Sequence, residues 1–255
     1  MGTGTSQGVP MIAHESPDLD LVNPKNWRTR PSIHVEMGGC HLQVDAGPEF
    51  RIQCLREDIR EIDYFILTHR HADHIMGMDD LRRFCTIRGC TALPVFSTAD
   101  GLEAVQRIFP YAANRERPVH RYYPAFKLAE MPRILEVEGG TVTSTLLPHG
   151  SVHVLGLIFE ERASGKKAVY YTDCKEVGAP QRVLAAGAHL VILDALQHRS
   201  HATHMSIGEA VETATDIGAP QTYFTHMAFP VDHATVERTL PDGISLAWDG
   251  LRIKL

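Results

Sequence analysis

A short apolar run, Tyr64-Phe65-Ile66-Leu67, stops at Thr68 and is followed at once by His69-Arg70-His71-Ala72-Asp73-His74. The run reads as a buried strand. Three imidazoles and a carboxylate packed into its exit serve no core. In an extended stretch residues i and i+2 project to the same side, so His69 and His71 can grip one ion together. Where the chain then turns into a helix, Asp73 and His74 can face a second. Imidazole nitrogen and carboxylate oxygen suit zinc, manganese or iron. The histidine count supports the same chemistry: there are 15, against 7 tyrosines and 9 phenylalanines. They gather at His69/His71/His74, His149/His153, His198/His201/His204 and His226/His233, whereas His14, His34, His41, His120 and His189 read as scattered surface residues.

Composition narrows the classes. With 255 residues, 44% of them hydrophobic and 22% charged, the chain can bury a real core. A net charge of -6 speaks against broad nucleic-acid binding, which needs a basic face. No apolar run approaches the roughly 20 residues of a membrane span. Met1 to Pro10 lacks the basic and then apolar regions of a signal peptide. Cys40, Cys54, Cys85, Cys90 and Cys174 form no C-x-x-C pair, as expected of a reduced, cytoplasmic protein.

Residues 33–37 and 41–45 alternate around Gly38-Gly39 and predict a β-hairpin. Helical patterns cover 48–58, 73–85 and 99–108, and strands are expected at 94–97, 141–147, 152–161 and 167–172. Later, a strand at 189–193 precedes a helix over 206–217, with Ser206 and Glu209 as a capping box and Gly218 as its stop. A strand follows at 222–225. Antiparallel strands early and β-α-β alternation late predict one layered α/β domain over residues 1–255.

His-x-His-x-Asp-His after a buried strand resembles the signature of the metallo-β-lactamase-fold hydrolases, and the resemblance implies an αββα sandwich. The family's remaining ligands match His149 in Leu147-Pro148-His149-Gly150, Asp173 in Tyr171-Thr172-Asp173-Cys174 and His226 in Thr225-His226-Met227. One ion would then be held by His69, His71 and His149. Asp73, His74 and His226 would hold the other, with Asp173 between them. Two divalent ions, Zn or Mn with Fe as a further option, are the implied cofactors. Cys174, next to Asp173, is expected to pack in the core.

The opening Gly2-Thr3-Gly4-Thr5-Ser6-Gln7-Gly8-Val9-Pro10 resembles the first loop of the phosphodiesterase branch, which includes ribonuclease Z. The segments 23–32 and Val44-Asp45-Ala46-Gly47-Pro48 look like the phosphoribosyl cyclic phosphodiesterases of phosphonate catabolism, as does Asp194-Ala195-Leu196. Asp45 is expected to anchor loops by hydrogen bonds. His204 matches a histidine that the branch uses near the scissile phosphate, so Asp73 and His204 are the candidate catalytic residues. Family members often hold a separate structural zinc. Here His14, Ser16, Leu19 and Phe229 stand at its ligand positions, which predicts that packing, anchored by Pro24 and Trp27, holds the segment 11–30 instead.

The implied activity is a phosphodiesterase that cleaves a small cyclic or nucleotide-like phosphate ester with a di-metal-activated hydroxide. A tRNA 3′-processing endonuclease, a glyoxalase II-like thioester hydrolase and a non-catalytic accessory protein are the alternatives. The expected partner is a small phosphate-ester substrate, with no membrane and no stable nucleic-acid complex. A homodimer is compatible with the sequence.

Overall fold

The computed structural model of the chain describes residues 1–120 and 122–255. Alternating side chains along its strands divide the interior into three apolar layers. A first sheet has the order β1 (Ile33–Met37), β2 (Cys40–Val44), β3 (Tyr64–Ile66), β4 (Leu93–Ser97) and β5 (Phe126–Glu130). The β1–β2 hairpin is antiparallel and the other pairs are parallel. A second sheet keeps chain order through β6 (Ile134–Val137), β7 (Gly140–His149), β8 (Val152–Glu161), β9 (Lys167–Tyr171), β10 (Leu190–Asp194), β11 (Thr222–Thr225) and β12 (Ile244–Leu246). It is antiparallel from β6 to β9 and parallel from β9 onward.

Leu42, Val44 and Ile66 from the first sheet meet Val142, Leu155, Leu157 and Tyr170 from the second. Phe65 and Leu67 point the opposite way, to Phe50 of α1 (Phe50–Glu57), Phe84 of α3 (Arg82–Ile87) and Val105 of α4 (Ala99–Ile108). On the far side, Val169, Tyr171, Val191 and Leu193 pack under Ala185 of α5 (Ala179–Ala185) and Ala210 and Ala214 of α6 (Ile207–Ile217). Three apolar layers between four structural ones make the αββα sandwich that the resemblance implied. Shifting a strand by one residue would exchange its two faces, so these opposed clusters fix the register. The Ser206–Glu209 capping box forms, and Gly218 ends α6 at φ +68°. Among the described residues no helix is long and apolar enough to cross a membrane.

Three expectations need correction. The single helix predicted over 73–85 is broken into α2 (Ala72–Ile75), a 3₁₀ turn (Met78–Leu81) and α3. Gly77 causes the break: its N–H donates to Ala46 O at 2.8 Å, and a side chain there would collide with the Gly47 carbonyl. Second, neither Pro24 nor Trp27 anchors the segment 11–30: Pro24 is exposed, and Trp27 is 53% exposed with its indole N–H on Leu21 O. Buried Asn26 does so instead, because its amide finds partners on both sides. Asn26 Nδ2 donates to Asp232 Oδ2 at 2.7 Å, and its Oδ1 accepts from His233 N at 2.8 Å and from Arg28 Nη2 at 3.1 Å. At the former zinc positions the His14 ring packs edge-on to Phe229, with centroids 4.3 Å apart. Third, His34 is no free surface residue: burial lowers its pKa to about 4, and it bonds to Gln43.

Strands β5, β6 and β12, helix α5 and helix α7 (His233–Glu237) were not anticipated. What positions the site is common to the rest. Residues 45, 68–74, 173 and 226 leave the carboxyl ends of β2, β3, β9 and β11, while His149 and Asp194 close β7 and β10. Open sheets bind ligands at such strand ends.

Candidate metal centre

Two nests of side chains meet there, built in different ways. In the first, His69 Nε2 lies 2.9 Å and His149 Nε2 3.3 Å from His71 Nδ1. Backbone and hydroxyl partners set the tautomers. His149 Nδ1 is 3.0 Å from Thr203 O, which can only accept, so Nδ1 carries the hydrogen and Nε2 is bare. Thr68 Oγ1 gives its one hydrogen to Asp45 Oδ2 at 2.8 Å and therefore accepts from His69 Nδ1 at 3.1 Å, which bares His69 Nε2. Burial holds the pKa of His69 well below its ordinary value and also lowers His71 and His149. All three are neutral bases with lone pairs to give.

The second nest joins Asp73, His74, Asp173 and His226, all buried. His74 Nε2 is 3.2 Å from Asp173 Oδ1 and 3.3 Å from Asp73 Oδ2, and His226 Nε2 is 2.9 Å from the same Asp173 oxygen. Burial opposes charge on His74, but the carboxylates of Asp173, Asp45 and Asp73 outweigh it and raise its pKa well above the ordinary value. Asp173 and neighbouring carboxylates likewise overcome burial to lift His226 to about 10. Burial works against Asp73 and Asp173 too, and is overcome by His74 and His226, so both stay well below the usual carboxylate range.

Asp45 stands behind this nest. Its Oδ1 accepts from Thr68 N at 2.8 Å, and its Oδ2 lies 2.7 Å from His74 Nδ1, the anchoring role expected of it. Three residues of the site adopt left-handed backbone without being glycine: Asp45 (φ +60°), Asp173 (φ +52°) and His226 (φ +61°). Such strain costs of order 1–3 kcal/mol each and gathers where function imposes it.

The donor chemistry of both nests fits divalent cations. Bare imidazole nitrogens converge in the first. In the second, two carboxylates face two imidazoles in a dry setting, and neither nitrogen of buried His226 has a hydrogen bond of good geometry. A cation would satisfy that orphaned donor set.

His204 closes the site. Its ring stacks on His226 at 4.6 Å and 15° and meets the His149 ring at 4.7 Å. Its Nδ1 lies 2.8 Å from Asp194 Oδ2. That carboxylate also accepts from Cys174 N at 3.0 Å, while the Cys174 side chain packs in the core beneath α6 as expected. Sequence reasoning singled out Asp194-Ala195-Leu196 by resemblance but gave Asp194 no role; its pairing with His204 depends on β10 lying beside β9. Around these groups lies a cavity of about 330 Å³, lined by His71, Asp73, His149, Asp173, His204 and His226 with Ser6 from the first loop. Of the remaining clustered histidines, His201 lies 5.3 Å from His204, ring to ring, at the exposed edge. Every site residue named from the sequence thus lies in one connected cluster.

Residues 41–227 match the Beta-lactamase superfamily domain. A crystal structure of a diphosphatase from the PhnP family is 32% identical, with a TM-score of 0.89 covering 100% of this chain and 95% of that one. An octanoyltransferase of Porphyromonas gingivalis is 30% identical over 98% of this chain and 50% of its own length. A ribonuclease Z of Bradyrhizobium diazoefficiens is 25% identical over 55% of this chain and 47% of that protein. The chain spans about half the length of these curated relatives. The match across most of the chain, the two sheets and the full-length likeness to the diphosphatase agree: this chain belongs to the metallo-β-lactamase-fold hydrolase superfamily, on its PhnP-like branch.

Proposed function

We propose that the chain is a phosphodiesterase acting on a small cyclic or nucleotide-like phosphate ester, with His69, His71 and His149 as ligands of one divalent ion and Asp73, His74 and His226 as ligands of the other, Asp173 serving both. Zinc and manganese suit these ligands equally. The observation that carries the reading is His204, backed by Asp194 and facing the cavity next to both nests. Divalent ions held there would supply positive charge for the phosphate oxygens and lower the pKa of the attacking water.

The protein's own groups do the rest. Asp73 and Asp173, held ionised, fix the charge balance of the floor. Asp194 takes the Nδ1 hydrogen of His204, which leaves Nε2 to carry a proton to the leaving oxygen as its bond to phosphorus breaks. Hydrolysis then gives a phosphomonoester and an alcohol, or one product when the ester is cyclic. The small cavity favours a small substrate over a polynucleotide.

Similarity to ribonuclease Z supports a second reading, a tRNA 3′-end nuclease, and the half-length match to an octanoyltransferase brings acyl thioesters into the same test. Protein loaded with Mn²⁺ or Zn²⁺ should hydrolyse bis-p-nitrophenyl phosphate and a ribose cyclic phosphate, and leave precursor tRNA and an acyl thioester intact. Turnover of either of the last two without the first pair would overturn the proposal. Asp194→Asn should keep both metals and lose roughly 10–100-fold in kcat, the usual worth of a partner that orients a working histidine.

A further inference from the structure

Gln43 is a fully buried amide in the middle of β2, where its neighbours Leu42 and Val44 face the apolar interior between the sheets. Gln43 faces the other way and meets polar partners on every side. Its Nε2 lies 2.6 Å from Ser32 Oγ, 2.8 Å from Asp45 O and 3.2 Å from Val44 O. Its Oε1 lies 3.3 Å from His34 Nδ1. Two carbonyls on one side admit only the NH₂ group, so the amide has a single workable orientation. His34 must then donate from Nδ1 into Oε1. Its Nε2 is left bare, 3.2 Å from His41 Nδ1, and accepts from it. A one-way series of hydrogen bonds thus runs from His41 near the surface, through His34 and Gln43, to the carbonyl of Asp45.

The Asp45 carbonyl needs such holding. The residue is not glycine and sits at φ +60°, a conformation that persists only when its surroundings over-determine it. Its N–H is bonded to Ile66 O at 3.0 Å, and Ser32 Oγ adds a contact of 3.0 Å to its carbonyl. With the backbone pinned, the carboxylate has one direction left, toward Thr68 and His74 Nδ1.

We propose that Gln43 is a positioning residue for the buried nest: by locking the left-handed Asp45, it fixes the ring of His74 and so the affinity of that nest for a divalent cation. The inference rests on the ligand assignment proposed above, and bears mainly on one nest. Asp45 touches the buried nest directly at His74 Nδ1, and the first nest only at one remove, through Thr68 Oγ1 to His69 Nδ1, so the first nest is predicted to respond less to Gln43.

The test is titration with Mn²⁺, followed by the EPR signal of the free ion, on the full chain and on His71→Ala, which isolates the buried nest. Gln43→Leu should weaken Mn²⁺ binding at the buried nest roughly tenfold, the lower end of what partners behind a ligand contribute. The affinity of the first nest, which Asp45 supports only through Thr68 and His69, should move by a clearly smaller factor. Ser32→Ala, which removes one of the two clamps on the same carbonyl, should shift the same affinity in the same direction by a smaller factor and serves if Gln43→Leu does not fold. A fall in thermal stability with unchanged Mn²⁺ affinity, or equal weakening of both nests, would overturn the role of Gln43. Fewer than two bound ions in the unsubstituted protein would instead overturn the ligand assignment itself.

Discussion

The two nests lie side by side and share imidazoles, yet they are built on opposite principles. The histidine nest takes two of its three members from one stretch of three residues, 69–71, ahead of α2, with His71 exposed to the cavity. The carboxylate nest is wholly buried, draws on three separate strand ends, and holds two of its members, Asp173 and His226, in left-handed backbone. Burial lowers the pKa of the first set, while facing carboxylates raise those of the imidazoles in the second. The contrast teaches that one of them is a local property of a motif and the other a property of the packed sandwich. Substitutions should therefore separate them.

The largest separation is expected from Asp173→Ala. It removes the carboxylate that faces both imidazoles of the buried nest, so metal content and activity should fall together, the affinity by more than the 10–100-fold typical of a partner behind a ligand. Metal analysis beside the phosphodiesterase rate checks this, and full metal retention would contradict it. His204→Ala should come next, with both ions kept and kcat reduced by roughly 10²–10⁴. The loss should shrink for a p-nitrophenolate leaving group, which hardly needs a proton; an equal loss on poor and good leaving groups would remove the acid role from His204.

The smallest effect concerns the support behind the buried nest. Burial holds His34 down at about 4, against about 6.5 in an unfolded chain. Above pH 6.5 the group is neutral in both states and contributes nothing. Between 6.5 and 4 the unfolded chain takes up a proton that the folded one refuses, so stability falls as pH falls, by of order 1–3 kcal/mol in all. In urea melts from pH 7 to 4, His34→Gln should flatten that slope. An unchanged slope would show that His34 is not the titrating group.

How far these features can be read in advance follows the same division. The motif at 69–74 declares itself, since strand, imidazoles and carboxylate are contiguous. His149, Asp173 and His226 are legible only through the resemblance, because each is a lone residue after a strand. Asp194 is marked by the resemblance, but its role is not legible: its partner lies ten residues on, across a loop whose path is set by packing. Gly77 shows the converse, a helical pattern overruled because the chain must pass against Ala46 and Gly47. Trp27 misled because size suggested an anchor, while the amide of Asn26, bonded to Asp232, His233 and Arg28, is what holds the segment.

The spread of the ligands from position 69 to position 226 also dictates when the site can exist at all. Neighbouring strands β6 to β9 can pair early, as antiparallel hairpins close short loops. The parallel pairs of β2 with β3, β9 with β10 and β10 with β11 must wait for crossovers, and such non-local pairing is slow. The complete set of candidate ligands therefore exists only once those parallel pairs have formed, so the site is a late property of the folded chain and not of any one segment.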